Sequence, residues 1–450
     1  MDIGQELHFQ GYWWLPHLPE AKIAGELWCS RDGKVELSLF GSFSGVSIPQ
    51  KEERVDIILG VSDKGKLVTL VDNRLVHWQL NFPGVPRQKY RAKFFIEGEH
   101  FADLDKLQFS AITFRTYGLD AWIGISGLQV ELDFDAPKFL VKFEPPEPQE
   151  YSIDEERRIS IRFAWRGPSQ ATPLRSVSIE QTAYLRLEYS QPRSLDDLLV
   201  EVHRVKNLVS LCIGRPLSLT KVSLTPFSNS QATRSIDLYY HSLPFPEDSF
   251  QIYPHEMILG WSAISSRFGE LLHKWFALYE KIAPTINLFF AIQHQQHLYL
   301  EYQFLALVQG LEALHRRITN NQLEPEEIHQ ERLERIFNVL AEEDKKWLEP
   351  RLKYSNEPPL RYRLKELLEP FDHLFGNRKK RKKFLNMVVS TRNYLIHHDE
   401  SLQEEAAQGA HLFGLIRQLK LLTVLHVFRL LGFEEDEFYR KVAESQSFRV

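Results

Sequence analysis

The feature that most constrains the fold of this chain is a change in hydrophobic period near residue 255. Before that point, apolar residues recur at every second position, which is typical of strands. After it, they recur about every 3.6 residues to the end, which is typical of helices. A length of 450 residues also favours two or three globular units over one. We therefore expect an α+β multidomain protein, in which a β-rich N-terminal half precedes an all-α helical bundle.

Strand patterns fill residues 1–145. Val35, Leu37 and Leu39 alternate with polar residues, and the triplet DKG at 63–65 stands between two apolar runs, as a hairpin turn would. Further alternating segments follow at the spacing of hairpins. This pattern predicts an N-terminal β domain built as a sandwich or as a partly open barrel, and the sequence does not choose between them.

Residues 144–156 are rich in proline and acid, which predicts a linker or a crossing loop. A second β-rich part is expected over 146–255, with one helix that begins after Ser194 as its cap and stops at Gly214. A C-terminal helical domain then covers 256–450. Its predicted helices are 262–280, 284–318 with a break near His294, 325–341, 359–374, 378–398, 406–432 and a short one from 434.

Charge and cysteine content exclude several classes of protein. With a net charge of -5, any affinity for nucleic acid must come from a local patch. Cys29 and Cys212 stand far apart, so neither a disulfide framework nor a cysteine metal site is indicated. The most apolar stretch, 412–433, contains Arg417 and Lys420, so no membrane span is expected. We expect a cytoplasmic protein without a cofactor.

The densest unusual feature is the segment 377–400, in which a basic run precedes an apolar helix. Because the positive end of a helix dipole repels cations, a basic run there destabilises the helix unless an anion offsets it. RNA phosphate is one such anion, and a solvated helix start that lies against acidic loops of the same domain is the alternative. The candidate RNA-binding residues of this run are Arg378, Lys379, Lys380, Arg381, Lys382 and Lys383.

The same predicted helix ends in Arg392, Asn393, His397 and His398. Asn393 and His397 share a face, whereas Arg392 lies about 140° around the helix from His397. A guanidinium suits a phosphate or a developing phosphorane, and an imidazole can take and return a proton near neutral pH. Neither part needs a metal, and attack by the substrate's own 2′-hydroxyl predicts RNA over DNA as the substrate.

A second group lies on an earlier predicted helix, where Glu312 and Arg316 are four residues apart and Arg317 follows. Taken alone, this spacing indicates a surface ion pair that stabilises the helix by about a few tenths of a kcal/mol.

Two histidine groups are weak candidates for a metal site. His294 and His297 have no evident third ligand, and the adjacent side chains of HHD at 397–399 point in different directions from a helix. An acid-base role for His397 is the favoured interpretation, and no metal site is expected.

Two of these motifs resemble a known family. Arg392-Asn393-x-x-x-His397 matches the signature of arginine, polar residue and histidine in HEPN domains, which are helical bundles that include many metal-independent ribonucleases. Glu312-x-x-x-Arg316-Arg317 is similar to a motif on an earlier helix of those domains. Within this superfamily the chain most resembles the ApeA proteins of bacterial defence against phage, which have segments similar to IILGVSDKGKLVTLVDN and TYGLDAWIGISG here.

The resemblance implies a homodimer formed through the C-terminal helical domain, in which two Arg and His pairs meet at a twofold axis to make one RNA-cleaving cleft. His397 would act as acid and base, Arg392 would stabilise the phosphate, and Asn393 would orient either the histidine or the phosphate.

The resemblance also assigns roles to the earlier motif. Glu312 would hold Arg392 or a neighbouring base, while Arg316 and Arg317 would contact RNA. His398 is a plausible stand-in for His397, although nothing in the spacing favours it.

Three hypotheses about function follow. The first is a cytoplasmic, metal-independent endoribonuclease of anti-phage defence by abortive infection, whose β-rich half senses a phage-derived trigger and restrains the nuclease. The second is a HEPN-type module that binds RNA or protein without cutting, joined to a ligand-binding β domain. The third is a charged helical bundle with no site, because short motifs also match by chance.

Overall fold

The computed structural model describes the chain apart from residues 1–2, 4, 46–52, 82, 134–137, 169–176, 228–234, 243–250, 296–297, 399, 446–447 and 449–450. The chain divides into two compact units. Unit 1 comprises Met1–Ile213 and Leu217–His273, and unit 2 comprises Gly214–Pro216 and Lys274–Val450.

Within its described residues, unit 1 contains fourteen strands and two complete α-helices. The strands are β1 (Leu7–Trp14), β2 (Ile23–Cys29), β3 (Val35–Leu39), β4 (Arg54–Ser62), β5 (Leu67–Gln79), β6 (Arg87–Glu97), β7 (Gln108–Thr116), β8 (Leu128–Asp133), β9 (Lys138–Phe143), β10 (Gln149–Ser152), β11 (Arg157–Arg166), β12 (Glu180–Ser194), β13 (Leu219–Pro226) and β14 (Ile236–Tyr240). The helices are α1 (Leu119–Ile123) and α2 (Leu195–Ile213).

Twelve of these strands form one large antiparallel sheet, part of which closes on itself, and β8 and β9 pair in a separate two-stranded sheet. The order of the large sheet is β10-β11-β12-β7-β13-β14-β6-β3-β2-β1-β4-β5, and β5 also pairs with β6. That extra pairing closes β6, β3, β2, β1, β4 and β5 into a six-stranded barrel, while the other six strands extend from β6. The β-rich N-terminal half is confirmed, and of the two predicted architectures the structure contains a barrel, closed rather than partly open.

The barrel interior follows the predicted alternation. In β3, Val35, Leu37 and Leu39 are buried and the residues between them are partly exposed. They pack with Leu70 and Phe95 from neighbouring strands in one apolar cluster. The predicted hairpin turn is also present, because β4 and β5 pair on either side of 63–65. This cluster fixes which face of each barrel strand points outward to carry polar residues.

The strands on both sides of residue 145 belong to the same sheet. Residues 144–148 have no regular structure, in line with the predicted loop, but 149–152 form the edge strand β10. Through β11 and β12 this edge connects to β7, so 1–145 and 146–255 contribute to one sheet.

The predicted helix of the second β-rich part is confirmed as α2. The Ser194 hydroxyl accepts a hydrogen bond from the backbone N–H of Asp197 at 3.3 Å, as a cap does. The helix ends before Gly214, whose φ of 85° is in the left-handed region.

Helices make up unit 2, and its first helix spans the boundary between the units. The helices are α3 (Phe268–His294), α4 (Leu300–Ile318), α5 (Glu326–Phe337), α6 (Glu342–Leu352), α7 (Leu360–Leu368), α8 (Arg378–His397), α9 (Gly409–Leu430) and α10 (Asp436–Glu444). The all-α C-terminal part is therefore confirmed, including the break after His294.

Two helix predictions were wrong in detail. We expected separate helices over 262–280 and 284–318, but α3 runs through the gap with a kink at Ile282 next to Pro284, because proline bends a helix without always ending it. Helix α6 was not predicted. None of its residues is buried, so it lacks the apolar stripe on which the prediction depends.

Helix α9 forms the centre of unit 2. Leu419, Leu422, Leu425 and Phe428 are fully buried, and α9 packs along α4, which also contacts α7 and α8. Among the described residues α9 is the one helix long and apolar enough to cross a membrane, but 67% of its apolar window is buried in unit 2. Such burial is the behaviour of a core helix.

Candidate active site on helix α8

Helix α8 begins with the basic run, and an asparagine cap helps it to form there. The side-chain oxygen of Asn377 accepts a hydrogen bond from the backbone N–H of Lys380 at 2.9 Å. Arg381 pairs with Asp372, with Nε 3.0 Å from Oδ1. This pair is the acidic-loop contact that we weighed as the alternative to RNA, but it engages one residue of the run.

The other cations of the run are open to solvent. All five are exposed, and no ion pair to any described residue engages them. They leave a patch of positive charge at the positive end of the helix dipole. These five residues are Arg378, Lys379, Lys380, Lys382 and Lys383.

The middle of α8 is anchored in unit 2. Phe384, Leu385 and Val388 are buried, and so is the fully enclosed Thr391. The Thr391 hydroxyl accepts a hydrogen bond from the backbone N–H of Ala407 at 2.9 Å, which ties the segment after α8 back onto the helix. This anchoring fixes the rotation of the last helical turns, which carry the candidate catalytic residues.

Arg392 and Asn393 lie directly after this anchor and contact each other. Both are half-buried, and Nη1 of Arg392 donates a hydrogen bond to Oδ1 of Asn393 at 3.2 Å. One guanidinium N–H is therefore used to orient the group, and no described residue accepts a hydrogen bond from the other N–H groups. The sequence motif did not predict this hydrogen bond between Arg392 and Asn393, which forms within a single chain.

His397 is the last residue of α8 and is exposed. Its ring makes no hydrogen bond to any residue in the described part of the chain. His398 differs, because its backbone is left-handed with a φ of 51° and its ring packs edge-on against Tyr394. The two adjacent histidines therefore have different surroundings, and His397 is the one with an open ring.

The earlier motif, which comprises Glu312, Arg316 and Arg317, does not make the contact that its spacing predicted. Glu312 and Arg316 do not form the ion pair that we expected of residues four apart. Instead, Nη2 of Arg316 lies 2.6 Å from Oε2 of Glu357, and Arg317 donates to the backbone carbonyl of Lys281 at 2.9 Å. For Arg316, the distant Glu357 therefore takes the place of the expected local partner Glu312.

The buried Arg363 on α7 explains why Arg316 pairs with Glu357, because Arg363 contacts the same carboxylate. It is 1% exposed, and its guanidinium reaches Glu357 at 3.2 Å, Nδ1 of His315 at 3.2 Å and the side-chain oxygen of Asn321. Because arginine only donates, Nδ1 of His315 accepts, and Nε2 donates to Glu366 at 2.7 Å. This buried polar network was missed from the sequence, although a histidine on the apolar stripe of α4 was a signal of it.

The charges around Arg363 connect it to the predicted motif. Burial lowers the pKa of Arg363, and the nearby Arg316 lowers it further, while Glu357 and Glu312 act in the opposite direction. No described hydrogen bond or ion pair joins Glu312 to Arg392. The role of Glu312 in holding Arg392 therefore stays a prediction.

The two weak metal candidates involve residues that the structure does not describe. His297 and Asp399 lie outside the described residues. Among the residues that are described, no group of three or more His, Cys, Asp or Glu side chains is placed to hold a metal.

Two protein-family models match the chain, one over most of unit 1 and one within unit 2. The family model for ApeA N-terminal domain 1 matches residues 8–275, which is more than half of the chain. The chain belongs to the ApeA family of HEPN proteins. The Apea-like HEPN model matches residues 305–437, a range that contains Glu312, Arg392 and His397. Comparison with curated proteins and with solved structures gave no match.

Membership of the ApeA family confirms the resemblance that the motifs on α4 and α8 indicated. It indicates a nuclease family of anti-phage defence. The N-terminal match covers nearly all of unit 1, including strands on both sides of residue 145.

Proposed function

We propose that this protein is a metal-independent endoribonuclease that acts in anti-phage defence. The observation that carries the proposal is the make-up of α8: an exposed basic run at its start, a hydrogen-bonded Arg392 and Asn393, and an exposed His397 at its end. All of them lie in the region that matches the Apea-like HEPN family.

The proposed reaction uses the substrate as its own nucleophile. His397 removes the proton of a ribose 2′-hydroxyl, whose oxygen attacks the adjacent phosphorus while the bond to the 5′-oxygen of the next nucleotide breaks. The proton is returned to that leaving oxygen. Arg392 stabilises the negative charge that builds up on the phosphorane, and Asn393 orients Arg392. The products are a 2′,3′-cyclic phosphate and a 5′-hydroxyl.

We further propose that the active protein is a homodimer through its helical unit. Arg392 lies about 140° around α8 from His397, which is an awkward separation for two groups that act on one phosphate. A twofold axis near the end of α8 would bring the Arg392 of one protomer to the His397 of the other. Ile396, which is 47% exposed directly before His397, supports this proposal because an exposed apolar side chain there suits an interface.

The basic run would hold the RNA. Exposed lysines and arginines bind the phosphate backbone without reading bases, so they provide affinity but not the choice of cleavage site. Arg316 and Arg317 are proposed as further RNA-binding residues, although Arg316 would first have to exchange Glu357 for phosphate.

The remaining parts of the proposal concern the cell. We propose a cytoplasmic enzyme whose activation stops growth of the infected bacterium, with unit 1 sensing a phage-derived trigger and restraining the nuclease. We include this restraint because an unrestrained ribonuclease would degrade the RNA of its own cell.

Substitution of the two central residues tests the proposal. We expect Arg392→Ala and His397→Ala each to abolish cleavage of total bacterial RNA, with and without lysate from phage-infected cells. His17→Ala, which removes a histidine of unit 1, is the matched control and should cleave like the wild type. Unchanged thermal unfolding would show that the variants are folded. Cleavage by His397→Ala at the wild-type rate would rule out the assignment.

A further inference from the structure

Unit 1 carries a groove with an unusual concentration of positive charge. It has a volume of about 410 Å³ and lies on the outside of the barrel against β4, β5 and β6, with Tyr240 and His241 at the end of β14. Five cationic side chains line it, and one carboxylate, that of Asp72, lines it with them. The five are Lys34, Arg54, Arg74, Arg91 and Lys93.

Three of the arginines form a row across adjacent strands. Arg54 on β4 is directly opposite Arg74 on β5, and Arg74 is directly opposite Arg91 on β6. Like charges in directly opposed positions destabilise a sheet, because their side chains lie close on the same face. Such a row in a barrel that does not need it for packing indicates a site for an anion.

The outer cations of the groove are already paired with acids. Lys34 lies 2.6 Å from Asp32, and Arg91 lies 2.8 Å from Glu36. In contrast, Arg54 forms no ion pair with any described residue. Positive charge that is not neutralised is therefore concentrated within the groove, towards Arg54.

Lys93 is also paired with an acid, since it lies 3.1 Å from Asp196 at the start of α2. Asp32, Glu36 and Asp196 therefore form an acidic rim around the groove. A long polyanion that left the groove would meet these rim carboxylates and be repelled. A compact anion would keep its charge among the arginines. The charge pattern thus favours a small ligand over a nucleic-acid strand.

Two further features point to a ligand. Asp72 has a φ of 56° in the middle of β5, a strained conformation for a residue other than glycine and one that often marks a functional site. The hydroxyl of Tyr240 is buried and makes no hydrogen bond to a described residue. Burial also raises the pKa of Tyr240, so the hydroxyl keeps its proton and remains a donor.

We propose that this groove binds a compact phosphorylated small molecule of nucleotide size, with its phosphates on Arg54 and Arg74 and with Asp72 accepting a hydrogen bond from a hydroxyl or amino group. The volume is in the range of small-molecule sites. Guanidinium groups bind phosphate through paired hydrogen bonds, which suits a row of arginines. The site lies in unit 1 and is independent of RNA cleavage by α8.

Direct binding measurements on the full-length protein test this proposal. Isothermal titration calorimetry with ATP, GTP, AMP and inorganic phosphate as probes should show binding of at least one nucleotide. Arg54→Gln combined with Arg74→Gln should weaken that binding at least tenfold. Arg87→Gln is the matched control, because Arg87 is an exposed arginine of β6 outside the groove, and it should bind like the wild type.

Single substitutions keep the test valid should the double variant fail to fold. Arg54→Gln removes the arginine without a described ion pair and should weaken binding at least threefold while thermal unfolding stays unchanged. Equal binding by wild type and Arg54→Gln, or no binding of any probe, would overturn the proposal. So would a short oligouridine that binds this groove more tightly than any nucleotide and loses its affinity in the arginine variants.

Discussion

At the scale of single residues, the contact between Arg392 and Asn393 determines how the candidate site presents its positive charge. The hydrogen bond of 3.2 Å uses one N–H of the guanidinium and leaves a planar group for the phosphate. The shape of the group, and not its charge alone, is therefore expected to matter.

We predict that Arg392→Lys lowers the rate of RNA cleavage by about ten- to a hundredfold, because an ammonium keeps the charge but cannot form the paired hydrogen bonds. The measurement is single-turnover cleavage of one RNA that the wild type cuts. Arg429→Lys, on another helix of the same unit, is the conservative control. A rate equal to that of the wild type would show that only the charge of Arg392 is needed.

The candidate residues of the site were predicted from the sequence, but their partners were not. Arg392, Asn393 and His397 were predicted from their spacing on one helix and from their match to the HEPN signature. The pairing of Arg316 with Glu357 was not, because it depends on how α7 packs against α4 and on the buried Arg363 that shares the same carboxylate. A tertiary interaction replaced the local pair that spacing alone would favour.

At the scale of elements, α8 combines a cationic start with an anchored middle and an exposed end. Its buried side chains hold it in unit 2 while its charges remain in solvent. Under the proposed function, the start of the helix would bind RNA backbone without any change in the fold.

We predict that replacing Lys379, Lys380 and Lys383 with glutamine weakens RNA binding and makes it less dependent on salt. Removing one cation that binds a phosphate should reduce the slope of log K against log salt by about 0.7 for a single strand, so removing three should reduce it by about 2. Fluorescence anisotropy with a labelled RNA at several salt concentrations measures this slope.

The control for that experiment replaces three exposed lysines of unit 1, Lys22, Lys64 and Lys106, with glutamine, which makes the same change in net charge. The slope should then stay at the wild-type value. An unchanged slope in the α8 variant would mean that its basic run is only a solvated surface.

Helix prediction was most accurate for helices with a buried apolar stripe, and it missed α6, which has none. Helices α2, α8 and α9 have such stripes and were found near their observed bounds. Helix α6 buries none of its residues, so its sequence resembled a loop. The kink in α3 was predicted as a helix end, since proline has the same sequence signal in both cases.

At the scale of the whole molecule, closure of the barrel was the part of the fold that the sequence left open. Closure depends on β6 pairing with both β3 and β5, two strands that are distant from each other in sequence. Alternation in one strand shows which face is buried but not which strand lies beside it. A closed barrel and a partly open one therefore look alike in sequence.

The proposed dimer makes a prediction that belongs to this scale. If Arg392 and His397 act across a twofold axis, mixing Arg392→Ala with His397→Ala protomers should restore part of the cleavage, since a mixed dimer contains one intact pair. The measurement is RNA cleavage after the two inactive variants are co-expressed and purified through different tags. No recovery, with mixed dimers present by mass spectrometry, would show that the two residues act within one protomer.

The chemistry of the ends of the RNA products tests the central proposal most directly. The wild type should cleave bacterial RNA in the presence of EDTA and leave 2′,3′-cyclic phosphate and 5′-hydroxyl ends, because attack by the 2′-oxygen needs no metal. His397→Ala should leave no such ends. Cleavage that EDTA abolishes, or products with 3′-hydroxyl and 5′-phosphate ends, would contradict a metal-free reaction at His397 and Arg392.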